Sequence, residues 1–558
     1  MAEIREPAIE SKTVTNSSAN SVAIIASSSN SLATALLDEL RKFQQDRNWH
    51  LCDTRFCSQD AVRIFIPSST TRDGLIPNLA EARPVFEKAA AEGCGQFVLL
   101  SSALVYGTGP GRQHLVDEEY FSLRNASRIS GAWNSLESLA QQTLDGLALT
   151  ILRPAITLGS PTLFSRLLSR RFVLSLPGHD PSLQLLSLSD LAAAVVCVIK
   201  ANKPGIFNVA PDGVVPMHAA IRLSGGVRVP IPRTLRRIII GTEALEFCRY
   251  SWTVSNAKIK EQLGFTPRRS SAAALLEFRG RKLDSEPEFD EFGMDKGYIR
   301  FYGESVFKFL SQYYWRVESR GMEHIPLQGR AILAGMHRGF MPWDGVMALH
   351  TVVRATGRYP RFLTHPGLLK FPFIANFITK LGGVIASQES ADRVLGSGEL
   401  LGIFPEGIQG AFTLYRNAYK LHAFGRDAFV KLALRHRAPI IPFVTVGSAE
   451  TFPVFARIKS RRWTHYSSWP CIPITPTFPL LPVPLPSKWH TLFLPPISVD
   501  QYPPEAAEDG EVVKAISLEV RTKMQQALDE ILSRRRSIFF GSVFERNSRR
   551  AQKKPGAV

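Results

Sequence analysis

Cysteine is scarce in this chain and never closely spaced. The six cysteines, at 52, 57, 94, 197, 248 and 471, include no Cys-x-x-Cys pair. That argues against a zinc ribbon or a small disulfide framework and fits a reducing compartment with no structural metal. Long apolar runs are also missing. No uninterrupted run of about 18 apolar residues occurs, so no membrane-spanning helix is expected. Met1 to Asn20 is polar and mixed in charge, without the apolar core of a secretory leader. Residues 1–20 are expected to be disordered. Zinc-finger spacing, an aromatic RNA-binding strand and a basic-region heptad are all absent, so nucleic acid is not expected as a partner.

What is present is a large cationic surplus. The net charge of +18 implies an anionic partner, either membrane lipid or a phosphorylated substrate. At 558 residues the chain is too long for one ordinary core, and two domains are expected. Its 45% apolar and 21% charged residues place both domains in the globular class.

In the first half, apolar strand-like runs lie at Ser21–Ala26, Ala61–Pro67, Gln96–Ser101 and Leu147–Leu152. Helical patterns separate several of them, as at Ser31–Gln44 and Asn78–Glu92. This alternation predicts an α/β fold with a parallel sheet covered on both faces. Four stretches carry a resemblance: Phe97–Gly107 (FVLLSSALVYG), Leu147–Pro154 (LALTILRP), Gly205–Ala210 (GIFNVA) and Asn256–Pro267 (NAKIKEQLGFTP). Together they resemble the extended short-chain dehydrogenase/epimerase family, over residues 21–282. The resemblance implies a Rossmann-like domain and, in intact members, a bound NAD(P). Cofactor binding needs glycines where backbone approaches the pyrophosphate at a helix N-terminus. Here those positions are Ser27, Asn30 and Ala33. The family's Tyr-xxx-Lys pair falls on Ser130 and Asn134, or on Ile129 and Trp133 one residue earlier. None of these can move a proton beside hydride transfer. Asp53 stands where the family's ribose-binding acid would be, about 20 residues past the turn. Tyr106 is read as packing or lining the pocket, with an active-site tyrosine as the alternative. NAD(P) binding is not expected, and Ser27, Asn30, Ala33 and Asp53 are at most a residual nucleotide site.

An acidic stretch follows, with Asp284, Glu286, Glu288, Asp290 and Glu291, and residues 283–298 read as a linker. Aromatic and apolar residues then recur at helical spacing over Ile299–Tyr314, predicting a helix packed on a second domain, with a membrane-facing helix as the alternative.

The second half carries three blocks in order. Ala331–Met336 is an apolar strand ending at His337, and Asp344 follows with six residues between it and the histidine. Phe404-Pro405-Glu406-Gly407 is the second block, and the apolar Ile440–Gly447 is the third. A histidine with a nearby aspartate suggests a general base and its orienting acid. The three blocks resemble the glycerolipid (lysophospholipid) acyltransferase superfamily, the PlsC-like fold, over residues 299–533. The commonest spacing in that superfamily puts four residues between His and Asp. The longer gap here resembles the mono- and diacylglycerol acyltransferase branch.

That gap has a geometric consequence. Residues seven apart on one straight helix lie about 10 Å apart along its axis, too far to hydrogen-bond. His337 is therefore expected on a loop, with Gly339 letting the chain fold back and Pro342 in the first helical turn beside Asp344. The resemblance implies direct acyl transfer from acyl-CoA or an acyl carrier protein to a lipid hydroxyl, with no cofactor and no metal. His337 would be the base, Asp344 its partner, and Phe404, Pro405, Glu406 and Gly407 would bind the acceptor. Many members continue Thr-Arg-Ser after the glutamate, with the arginine on phosphate. Gln409 stands at that arginine here, which turns the expectation towards a neutral lipid alcohol. Arg416, Lys420 and Arg426 are candidate phosphate or CoA contacts, or simply a solvated basic face.

Pro366–Leu381 is mostly apolar, with Lys370 and Lys380 flanking it, and suits an acyl channel or the bilayer interface. Trp469–Pro486 is apolar and rich in proline, so it reads as an extended membrane element or a buried strap. Val512–Leu532 is an amphipathic helix. Residues 534–554 then hold eight Lys/Arg and one acid, and 534–558 read as a basic tail for anionic headgroups. A cytoplasmic enzyme docked peripherally on a membrane is the expectation. Two other readings remain open: an NAD(P)-dependent epimerase or dehydrogenase working through the first half, and a non-catalytic lipid-binding scaffold.

Overall fold

The computed structural model describes residues 20–26, 30–44, 49–52, 61–71, 73–110, 112, 115–120, 127–160, 162–232, 244–282, 289–425, 427–478 and 483–544. The chain divides into two units, Met1–Met294 and Asp295–Val558. Both are α/β.

The first unit is built on six parallel strands: β1 (Asn20–Ala26), β2 (Trp49–Cys52), β3 (Val62–Ile66), β4 (Gln96–Leu100), β5 (Leu149–Pro154) and β6 (Gly205–Val209). Their order is β6-β5-β4-β3-β1-β2. Alternate strand residues feed two separate cores. Phe65, Phe97, Leu99 and Ile151 face one side, with Phe86 and Leu136 from α2 (Leu79–Glu92) and α3 (Arg128–Thr143). Val22, Ile64, Val98 and Leu152 face the other, with Leu36 from α1 (Ser31–Gln44) and Val195 from α4 (Leu188–Ala201). Burial on both faces explains why these strands are continuous apolar runs rather than alternating ones.

The second unit holds a seven-stranded mixed sheet. Its strands are β7 (Glu318–Arg320), β8 (Ala331–Gly335), β9 (Arg361–Thr364), β10 (Val384–Ile385), β11 (Leu400–Ile403), β12 (Ile440–Val446) and, after a separate two-stranded ribbon of β13 (Ala456–Ile458) and β14 (Ile472–Ile474), β15 (His490–Phe493). The sheet order is β7-β15-β12-β8-β11-β9-β10, antiparallel only where β12 meets β15. The helix α5 (Trp343–Thr356) buries Ala348 and Val352 on Leu333, Ile441 and Phe443.

Some boundaries depart from expectation. A helix already starts at Lys296, inside the expected linker, because Asp295 caps it by accepting from Tyr298 N–H. The packed helix expected over Ile299–Tyr314 is broken into an α-helical turn and two π-helical turns, Gly303–Phe307 and Leu310–Tyr314. Ile299 and Phe307 are buried, while Phe301, Phe309 and Tyr313 stay exposed. The terminal helix runs through Arg534, and Arg535 is not part of a solvated tail. Its side chain is buried, with Nη1 donating to Glu450 Oε1 at 2.5 Å and to Tyr419 Oη at 3.2 Å.

Two buried histidines make this unit sensitive to acid. His350 on α5 packs on Phe307 and sits with Nε2 3.3 Å from Ser311 Oγ. Burial, aided by Arg354 and opposed by Glu304, pushes its pKa down to about 4. Burial does the same to His490, against the opposing pull of Glu318, again to about 4. An unfolded histidine titrates near 6.5, so the unfolded chain takes up protons that the folded one refuses between about pH 6.5 and 4. Stability is full above that window and falls as pH drops through it, by up to about 3 kcal/mol per histidine. Thermal melts across this range should show the second unit's transition falling steadily. In His350→Gln the slope should be shallower.

Candidate active site

The two blocks meet because their strands are neighbours. β8 and β11 pair in parallel with Ala334 opposite Ile403. Both chains therefore leave the sheet at the same end, one towards His337 and the other towards Phe404. A crevice at strand C-termini is the usual place for an α/β site.

His337 sits on the loop after β8 and Asp344 is the second residue of α5. His337 Nδ1 lies 2.7 Å from Asp344 Oδ2. The same oxygen accepts from Arg338 N–H at 2.9 Å, and Oδ1 accepts from Gly345 N–H at 2.8 Å. The carboxylate is fully buried and held on three sides, so it fixes the imidazole's orientation. Gly339 makes the reversal, with φ of +77°. Pro342 is one position earlier than expected: it is the N-cap, and Trp343 opens the helix. The Phe404 ring stacks on the imidazole at 4.7 Å and 27°. With Nδ1 committed to Asp344, Nε2 is the nitrogen left for chemistry.

The Glu406 side chain is buried rather than solvent-exposed. Its carboxylate is fully buried in a two-pronged pair with Arg338, Nη1 to Oε2 at 2.6 Å and Nη2 to Oε1 at 3.0 Å. His422 N–H adds a third bond to Oε1 at 2.9 Å. Arg338 spends its other donors on the carbonyls of His337 (2.7 Å), Lys420 (3.0 Å) and Ala418. One guanidinium thus ties together the histidine loop, the Phe-Pro-Glu-Gly turn and the segment 418–422. Gly410 is needed beside it, because an added Cβ would lie 2.9 Å from Glu406 Cβ and 3.1 Å from His337 O. Pro405 is buried and Gly407 is exposed, with φ of +59° at the start of α6 (Gly407–Ala411).

Arg416 and Lys420 are exposed on the segment anchored by Arg338, and Gln409 is exposed on α6. Arg426 lies outside the described residues. A dense aromatic cluster borders the histidine loop, with Phe340, Phe412, Phe452 and Trp469 buried and Met341, Trp343, Leu368 and Ile408 against them. It joins the start of the Pro366–Leu381 stretch to Trp469, so Trp469 and Cys471 are buried as a strap while Phe478 and Val483 are exposed.

In the first unit the strand order reverses between β1 and β3, where such folds bind nucleotides. Asn30 fills that position. Its Oδ1 accepts from Ala33 N–H at the start of α1, and its Nδ2 lies 3.2 Å from the carbonyls of Ile66 and Pro67. The Ala33 N–H at the start of α1 is therefore already bonded within the chain. Ser27 and Asp53 lie outside the described residues. At the positions of the family's proton-transfer pair, Ser130 closes a capping box with Ser127, and Asn134 Nδ2 donates to the carbonyls of Val105 and Ser130. Tyr106 is buried, donates to Asn208 Oδ1 at 2.7 Å and accepts from Arg153 Nη1 at 2.7 Å. Burial pushes this phenol up to about 12, which unsuits it as a base near neutrality. Arg153 is itself paired with buried Glu137 at 2.6 Å. Among the described residues, Ser130 and Asn134 at the positions of the proton-transfer pair are both spent on backbone hydrogen bonds.

The Acyltransferase family profile matches residues 316–446. An uncharacterized protein of Mycobacterium tuberculosis (strain ATCC 25618 / H37Rv) is 37% identical over 276 residues, 48% of this chain and 76% of that protein. A Bos taurus DGAT1/2-independent enzyme synthesizing storage lipids is 27% identical over 164 residues, 29% of this chain and 48% of that enzyme. Among solved structures, MoeE5 in complex with UDP-glucuronic acid and NAD aligns over 47% of this chain and 100% of its own, at 16% identity and a TM-score of 0.37.

Proposed function

The chain belongs to the acyltransferase family through its second unit, and from that premise we propose that it moves a fatty acyl group from acyl-CoA or an acyl carrier protein to a lipid hydroxyl. The observation that carries this reading is the His337–Asp344 bond of 2.7 Å, with Nε2 uncommitted beside an aromatic cluster. Nε2 takes the proton from the acceptor hydroxyl as its oxygen attacks the thioester carbonyl. The tetrahedral intermediate collapses, the C–S bond breaks, and the imidazolium returns the proton to the thiolate. Asp344 holds the imidazole in one tautomer and stabilises its cation, as in hydrolase triads. No covalent enzyme intermediate is required.

The acceptor on this reading is a glyceride or another neutral lipid alcohol. Gln409 stands where a phosphate-binding arginine would be, and Glu406 is neutralised by Arg338 rather than facing the acceptor. Arg416 and Lys420, exposed on the segment Arg338 anchors, suit the donor's phosphates. The test is turnover of labelled acyl-CoA against neutral glycerides and lysophospholipids. Neutral glycerides should be the better acceptors; turnover confined to lysophosphatidic acid would sink that assignment.

The first unit works without NAD(P) on this reading, since Asn30, Ser130 and Asn134 are spent on structure. Titrating the full chain with NADH or NADPH should give no saturable fluorescence change. Micromolar binding would reverse this.

A further inference from the structure

The strongest unexplained surface is the ribbon of β13 and β14, together with the short helix α7 (Arg461–Ser467) between them. From Thr451 to Val499 the chain has no acidic residue. Four of the five Lys/Arg in this stretch crowd into its first third, as Arg457, Lys459, Arg461 and Arg462, while the fifth, Lys488, pairs with Glu318. Among the described residues none of the four has an ion-pair partner. All five residues from 455 to 459 are exposed, including Phe455 at 59% and Ile458 at 47%. β13 is therefore bare on both faces, a projecting two-stranded ribbon rather than part of a packed sheet.

The ribbon is rooted beside the candidate active site. Phe455 N–H donates to Ile474 O at 2.9 Å, and Tyr415 N–H donates to Val454 O at 2.9 Å. Val454, Trp469 and Cys471 at its base are buried in the aromatic cluster that includes Phe340, three residues past His337. Lys370 Nζ reaches Ser468 Oγ at 2.7 Å, tying the ribbon's end to the apolar Pro366–Leu381 stretch.

We propose that this ribbon is a docking element for an anionic lipid bilayer, seating the enzyme with its aromatic cluster towards the membrane. The inference rests on the acyltransferase reading only for what the docking is for. Phe455 and Ile458 enter the headgroup–acyl boundary, and the four cations meet lipid phosphates around them. Exposed apolar and cationic side chains within a few residues of each other suit that interface, where one layer is apolar and the next is charged. They do not suit a nucleotide, which needs convergent donors and gains nothing from an exposed Phe455. Four cations without acids also repel a second copy of the same surface.

Flotation of the full chain with vesicles tests this, using phosphatidylcholine alone and phosphatidylcholine with about 30% phosphatidylglycerol. Wild type should partition onto the anionic vesicles at least tenfold better than onto the neutral ones, and less so as salt rises. Arg457→Gln/Lys459→Gln and Phe455→Ser/Ile458→Ser should each lose tenfold or more of that partition while melting as wild type does. Unchanged partition in both variants overturns the proposal. So does a loss confined to CoA binding in the charge variant, or a loss of self-association in the apolar variant with flotation intact. His337→Ala should float as wild type does. An inactive wild type that floats would therefore leave the docking standing and remove only the activity.

Discussion

His337→Ala should lower kcat for acyl transfer by about 10²- to 10⁴-fold, the range a positioned general base supplies. Its kcat/KM should fall in the same proportion, because the proton transfer is made only in the transition state. The fold should barely notice. His337 is half-buried at the mouth of the strand crevice, and its structural bonds are few. Asp344→Ala is a different case. That carboxylate accepts from the imidazole, from Arg338 N–H and from Gly345 N–H, so its loss strips the histidine of its orientation and leaves two buried N–H groups without a partner. Its activity should fall by a similar factor, with a lowered melting temperature as well. A His337→Ala protein with wild-type turnover would remove the mechanism. If it were equally slow but recovered rate with rising pH, hydroxide would be replacing the base, and the assignment would be strengthened.

How much of this could be read from the residues alone depended on how far apart the cooperating groups lie. The His337–Asp344 geometry followed from helix rise and one glycine, because a seven-residue gap leaves few ways to bring the two side chains within 2.7 Å. The parallel strands of the first unit followed from apolar strand runs alternating with helical patterns. Arg338 could not be found that way. Next to a histidine it reads as one more cation in a chain of +18, and only the β8–β11 register carries it to Glu406, 68 residues on. A usable signal was the glutamate itself, since a carboxylate between a buried strand and a tight turn must find a cation. Arg535 was hidden in the same way. It sits in a run of three arginines, and its partner Glu450 is 85 residues earlier. Tyr419 lies between them, its phenol held well above the usual range by burial and the adjacent Glu450 carboxylate. Charge runs are read as solvated because most are, and the exception is set by packing that no local pattern records.

Arg338→Leu should be the most destabilising of the single changes considered. It leaves Glu406 as an uncompensated buried charge, a loss of about 3–5 kcal/mol. For a unit of this size that lowers its melting temperature by about 10 °C. Arg338→Leu/Glu406→Leu should recover much of it, because an apolar pair removes the desolvation cost along with the attraction. Activity should not recover with stability. Arg338 also holds the carbonyls of His337, Ala418 and Lys420, and none of these bonds can be made by leucine. The double variant should therefore be folded and slow, with the histidine loop and the 418–422 segment no longer registered on each other. That split separates a positioning residue from a merely structural one. If the double variant is as unstable as Arg338→Leu, the ion pair is not what holds the turn. If it is as active as wild type, the three carbonyl bonds do not position the base.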